Sequence, residues 1–316
     1  MRLGAPKSVL AGLAIALVLP ASAAPTAPGR NGLIAFVIHP YSGEIGNGIV
    51  VVRADGSHRR SVTHNIGDRS PAWSPDGQRL AFERAGRIDV VMADGSGLRR
   101  LTHGSTGNHQ PAWSPDGRSI AFTQHGALFV MRADGSRRRS LFRVRGDYVG
   151  RPSWSPDGKW IAFGLDDGGE GGSIAVISSA GGEPRYVTEG VEPDESTNPG
   201  DLADDYDPDW SPDGTRIVFT RVVWFCGRCD QDEVFSAKAD GSDVRWLTRD
   251  TTYASSRPSW SPDGSMLLAE TSGGLGLFTA SGTLVRMLDA YGAEAAWQPL
   301  AIAHDVGPVT ARGRAS

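Results

Sequence analysis

Chemically active side chains in this chain gather in one run of carboxylates and one pair of thiols. Residues 189–208, EGVEPDESTNPGDLADDYDP, carry eight acids: Glu189, Glu192, Asp194, Glu195, Asp201, Asp204, Asp205 and Asp207. The nearby segment Leu165-Asp166-Asp167-Gly168-Gly169-Glu170 adds three. Hard cations such as Ca²⁺ want several carboxylate oxygens, so Asp204, Asp205, Asp207 and Asp209 are candidate metal ligands. The spacing lacks the Gly and Glu offsets of an EF-hand, and the run also reads as an acidic patch for a basic partner or as a solvated loop. Cys226-Gly227-Arg228-Cys229 places two thiols three residues apart. A tight turn at that spacing brings the Cα atoms within about 7 Å, the limit a disulfide tolerates. In an oxidising compartment a disulfide stapling the loop is the expectation, since thioredoxin-like redox use needs a helix N-terminus and zinc needs further ligands. There is no G-x-S-x-G elbow, H-E-x-x-H motif or P-loop, and the seven histidines are scattered.

Those residues need a scaffold, and composition narrows it. The chain has 316 residues, 39% of them hydrophobic, enough to bury a core and to exclude wholesale disorder. Forty-one Gly and 20 Pro suit a turn-rich β protein better than a helical enzyme. Two Cys exclude a disulfide-dense scaffold. A formal charge of −4, with no basic run beyond Arg137-Arg138-Arg139, argues against nucleic acid as a partner.

A repeat supplies the architecture. The string W-S-P-D-G occurs five times, with its Trp at 73, 113, 154, 210 and 260, and a degenerate sixth copy holds Trp297. The spacings are 40, 41, 56, 50 and 37 residues, the range of propeller blades. Within the second unit, Pro111–Trp113 reads as a short strand and Ser114-Pro115-Asp116-Gly117 as a turn. Strands follow at Ser119–Phe122 and Ala127–Arg132, then a tight turn at Asp134-Gly135 and an outer strand at Ser136–Leu141. The first unit lacks its W-S-P-D-G strand and the last Trp strand has nothing after it. Residues 292–299 are therefore expected to complete the first blade and close a six-bladed, all-β ring of four-stranded antiparallel blades.

The recurring Trp, Asp and Gly serve packing and turns, so function is expected where blades differ. The Pro-Asp-Gly and Asp-Gly turns, uniform in length, share one face, here the turn face. Length variation falls on the other, the loop face: hairpins 37–48, 165–173 and 221–233, and the crossing 189–208. Insertions that collect on one face commonly mark the binding face. Three residues before each Trp, where the inner strands enter from the loop face, stand Ser70, Gln110, Arg151, Asp207, Arg257 and Glu294. They are expected at the channel mouth, either neutralising one another or forming a polar pocket for a peptide terminus, carboxylate or sugar. Asp209 occupies a place that is Ala or Ser in the other blades (Ala72, Ala112, Ser153, Ser259, Ala296), which points to a local task such as holding a cation.

The pattern W-S-P-D-G-x-x-I-A-F … D-G … R-x-L-T resembles the repeat of TolB-type six-bladed propellers, shared with the propeller domains of prolyl-oligopeptidase-like enzymes. The likeness is to the propeller alone, without the α/β domain of TolB proteins or the hydrolase domain of the oligopeptidases. It implies a binding or scaffold module of the cell envelope, engaging a protein or peptide on the loop face around the channel mouth. A peptidoglycan-associated lipoprotein is the partner the resemblance implies, and a monomer is expected. The competing reading is a metal-dependent propeller enzyme of lactonase, glycan lyase or hydrolase type, using Ca²⁺ or Mn²⁺ in the channel.

The N-terminus reads as an address. Arg2 and Lys7 precede the apolar run at residues 9–19, and Ala21-Ser22-Ala23 fits a signal-peptidase site. The run falls short of the roughly 20 residues that span a bilayer. Residues 1–23 are thus expected to be a signal peptide, 24–31 a short linker, 32–299 the propeller and 300–316 a flexible tail. Export to a periplasm or to the medium follows, with no transmembrane segment left after cleavage.

Overall fold

The computed structural model describes residues 30–38, 48–104, 106–144, 148–166, 172–188, 204–225, 229–249, 255–289 and 292–300. Residues 1–23, expected to be a signal peptide, and 301–316, expected to be a tail, lie outside them, as do residues 189–203 of the acidic run and the Cys226 half of the thiol pair. Among the described residues there are 24 strands, no helix, and six four-stranded antiparallel sheets. Blade 2 shows the unit: Asp68–Trp73 innermost, then Arg79–Arg84, Arg87–Met92 and Arg99–Arg100 at the rim. Blade 1 takes Arg30–Ile38, Ile49–Val52 and Arg60–Ser61 from the start of the chain and its inner strand, Gly292–Leu300, from the end. Ile34 pairs with Trp297 and Ala35 with Ala296, so the expected closure is what the chain adopts.

Each recurring residue has a physical task. In the Ser-Pro-Asp-Gly turn of blade 3, Ser114 Oγ donates to Asp116 Oδ1 at 2.6 Å. Asp116 in turn accepts the Arg118 N–H at 3.0 Å, and Ser114 Oγ accepts the Ser119 N–H at 2.9 Å. Gly117 closes the turn at φ +68°, a left-handed value that costs a residue with a Cβ about 1 kcal/mol. The Thr of R-x-L-T caps the next sheet position: Thr63, Thr102, Thr188 and Thr248 each accept, at 2.9 Å, the N–H of Ile49, Ile88, Ile174 or Val234. The outer strand of blade 3 runs over Arg139–Arg143, not Ser136–Leu141. Ser136 is held in the preceding turn, where its N–H donates to Asp134 and its carbonyl accepts from Arg132.

The core lies between blades. Phe36, Phe82, Phe122, Phe163 and Phe219 end the same apolar triplet in five blades and are fully buried. Trp73 packs with Ile49 and Val51 of blade 1 and with Leu80 and Phe82 of its own sheet. Truncating one such Phe to Ala would remove about 3–5 kcal/mol. At the rim, Arg99 donates to the carbonyls of Ala133 and Asp134, and Arg139 to those of Ser179 and Ala180. The Arg at this repeat position thus ties its blade to the next.

Candidate functional site

The inner strands converge on a central channel, and in five of the six a bulge sets what faces it. Ser70, Gln110, Asp207, Arg257 and Glu294 all adopt φ between +49° and +52°. Next to each, the pairing with the second strand shifts register, for example between Arg69 and Ala72 and between Ser256 and Ser259. Such a bulge re-aims one side chain out of the regular alternation. All six residues expected at the channel mouth line one small cavity of about 50 Å³. Arg151 reaches it by a different route. Its blade has no left-handed bulge there, and the inner strand is cut to Ser153–Trp154, with an isolated bridge from Val149 to Leu165.

This neck is stitched from blade to blade. The Ser70 N–H donates to Glu294 Oε2 at 2.6 Å, the Glu294 N–H to Glu270 Oε1 at 2.5 Å, and the Arg257 N–H to Thr220 Oγ1 at 2.9 Å. In each case the bulged residue donates its backbone to a side chain of the preceding blade. The Arg257 guanidinium lies 3.2 and 3.1 Å from the two Glu270 oxygens and 3.4 Å from Asp207 Oδ2. Burial raises the Asp207 and Glu270 carboxyls above their ordinary values, against the pull of the neighbouring arginines. Gln110 Nε2 donates to the Tyr148 hydroxyl at 3.4 Å. Glu270 and Thr220 are partners that the spacing from Trp does not reveal. Both directly follow the apolar triplet of the second strand, where blades 2, 3 and 4 have Glu83, Thr123 and Gly164. Extending the blade comparison by one column would have found them.

Asp209 works on the other side of the neck. Its Oδ1 accepts from Ser153 Oγ at 2.8 Å and its Oδ2 from the Trp260 N–H at 2.8 Å. Ser153 Oγ also accepts the Trp210 N–H at 3.1 Å. One carboxylate on blade 5 therefore brackets blades 4 and 6, and burial holds it above its ordinary value. The other candidate metal ligands have separate partners. Asp204 Oδ1 accepts the Gly172 N–H at 2.7 Å. Asp205, fully buried, is gripped by Arg221 through two bonds of 2.8 Å, as Asp68 is by Arg84 through two of 2.6 Å. Among the described residues no three His, Cys, Asp or Glu side chains converge so as to hold a metal. The Cys226–Cys229 pairing lies outside the described residues.

Below the neck the channel widens toward the turn face into a cavity of about 520 Å³, ten times the volume at the loop-face mouth. Trp73, Trp113, Trp154, Trp210, Trp260 and Trp297 and the prolines flanking them line it, one set from every blade. The Trp154 indole donates to the Ala112 carbonyl at 3.1 Å, while the other five indole N–H groups have no acceptor among the described residues. Asp209 and Arg151 are the only ionisable side chains in this lining, and Arg151 lines both cavities.

Comparison with known proteins bears on this ring. The sequence pattern of the TolB β-propeller domain matches residues 42–201. No curated protein matches the chain. Among solved structures, TolB from Acinetobacter baumannii superposes with a TM-score of 0.68 at 23% identity, over 85% of this chain and 67% of that one. A TolB assignment from Agrobacterium tumefaciens gives 0.63 at 21%, over 83% and 90%. A chain of the nidogen/laminin complex gives 0.60 at 13%, over 80% and 92%. Identities this low speak to the fold.

Proposed function

The chain belongs to the TolB β-propeller domain family, and on that premise we propose that it is a binding or scaffold protein of the cell envelope whose partner inserts a segment into the propeller channel. The observation that carries this reading is the cavity of about 520 Å³ on the turn face, walled by Trp and Pro from all six blades. Its volume lies within the roughly 300–1,000 Å³ of pockets that bury a ligand, and its walls are apolar with a few convergent polar groups at the floor. Sequence reasoning favoured the loop-face mouth. There the six polar residues leave only about 50 Å³, and Ser70, Asp207, Arg257 and Glu294 are engaged with one another or with Glu270 and Thr220 of the second strands. We therefore place the inserted segment on the turn-face side, with the longer loops of the opposite face free for a second contact.

Residues 1–23 act as the export signal in this reading, and the protein works as a monomer in a periplasm or outside the cell. A peptidoglycan-associated lipoprotein is the partner that the family resemblance supports.

The test is affinity capture from envelope extract with three baits, read by mass spectrometry. An Ala72→Phe, Ala112→Phe variant fills the cavity, and a variant lacking residues 190–202 shortens the acidic crossing. A stoichiometric partner lost only by the cavity variant supports the reading. One lost only by the loop variant moves the site to the loop face, and one kept by both rejects the channel.

A further inference from the structure

The charges around the neck are not equally committed. Asp207 is paired with Arg257, and Glu270 receives Arg257 and the Glu294 N–H. Glu294 receives Ser70, and Asp209 receives Ser153 and Trp260. Each of these four carboxylates therefore has donors from the protein. Arg151 differs. Among the described residues its guanidinium makes no hydrogen bond and no ion pair, although its charge is felt by both Asp207 and Asp209. Five N–H donors in a fixed fork are unspent there, beside four carboxylates that all have donors from the protein. Arg151 is also the only one of the six neck residues that lines the wide cavity as well as the narrow one. A group approaching from the turn face therefore passes apolar walls and meets open donors at the floor.

Resting on the reading of this cavity as a peptide site, we propose that Arg151 recognises the C-terminal carboxylate of the inserted segment. The shape of the charge distribution argues for this ligand. The walls are Trp and Pro, which suit an apolar body. The cationic donors lie only at the end, which suits one anionic tip accepted as a fork-to-fork pair. Asp209 beside Arg151 opposes a second negative charge, so a singly charged carboxylate fits better than a phosphate. Arg257, the other arginine of the neck, is not available for this role because Glu270 and Asp207 hold it.

The experiment uses one pool of N-acetylated tetrapeptides of Ala, Leu, Phe and Pro, made once as free acids and once as C-terminal amides. Each is titrated into the full chain with ¹⁵N-labelled indoles, and the shifts of the cavity tryptophans are read. The acids should act at roughly 10-fold lower concentration than the amides, the scale of a charge-assisted pair. Arg151→Gln should bring the acids to the level of the amides, and Arg151→Lys should restore part of the difference. Equal potency of acids and amides on the parent protein overturns the assignment while leaving the peptide site intact. So does a preference for acids that survives Arg151→Gln. Indoles that respond to neither pool overturn both this inference and the cavity reading beneath it. Should Arg151→Gln not fold, the comparison of parent with Arg151→Lys decides. An acid preference undiminished in the lysine variant, which lacks the planar fork, is then the refuting result.

Discussion

Replacing Asp209 by alanine should destabilise the ring by about 2–4 kcal/mol near neutral pH and still allow it to fold. The carboxylate joins three blades through Ser153 Oγ and the Trp260 N–H, each at 2.8 Å. Hydrogen bonds to a charged group contribute about 1.5–3 kcal/mol each, and stranded donors add a desolvation cost. Removing a buried charge returns part of this loss, which leaves about 2–4 kcal/mol. Folding should survive because Ala72, Ala112 and Ala296 hold the same place in three other blades. The assay is urea unfolding, with the midpoint shifting at constant slope. Burial raises this carboxyl above its ordinary value. A carboxyl raised in the folded state contributes stability that is fully present below its unfolded value and is lost as pH rises through its folded value. The deficit of the alanine variant should therefore be larger near about pH 4 than near about pH 8. A variant as stable as the parent, or a deficit that grows with pH, refutes the reasoning. A Ca²⁺-dependent gain in the parent that the variant lacks would instead assign Asp209 to a cation.

Arg221→Ala should remove about 3–5 kcal/mol, because it strands the fully buried Asp205 carboxylate. Arg245→Ala at the exposed rim should shift the melting temperature far less, and equal shifts in the two variants would reject the burial argument. Truncation after Tyr291 removes the inner strand of blade 1 and should abolish cooperative unfolding. A truncated chain that melts like the parent would exclude closure by residues 292–300. A thiol titration of protein recovered from an oxidising compartment should find no free Cys226 or Cys229, and two free thiols would rule out the staple.

The fold could be read because propeller blades repeat their physics. The same Trp, turn Asp and Phe recur at the same places, so each copy corroborates the others. The channel residues were legible for a related reason: their distance from Trp fixes which way they face, and five of the six sit on an identical bulge. What the pattern could not give was commitment. Arg151 and Arg257 look equivalent in sequence, yet only Arg257 faces a Glu on the second strand of its own blade, and only Arg151 lies in a blade without the bulge. Asp209 stood out as a carboxylate at a small-residue position. Its partners, a serine hydroxyl one blade back and a backbone N–H one blade forward, are set by how blades pack across the channel rather than by any spacing along the chain. The cavity is not legible in the pattern either, because the Trp residues that line it also pack between blades.

The closure of blade 1 sets a timetable for folding. The Leu33 N–H donates to the Gln298 side chain across 265 residues of chain. Synthesis delivers Arg30–Ile38 first and its partner Gly292–Leu300 last, so this apolar strand keeps an open edge until nearly the whole chain has emerged. Open edges of this kind invite pairing with other molecules. Contacts this distant also slow the final step, since loop entropy must be met before they form. The ring is thus a single cooperative object in assembly, for all that it is modular in sequence. A circular permutant that joins the two halves of blade 1 and opens the chain between two other blades would keep every strand while making its slowest pairing local.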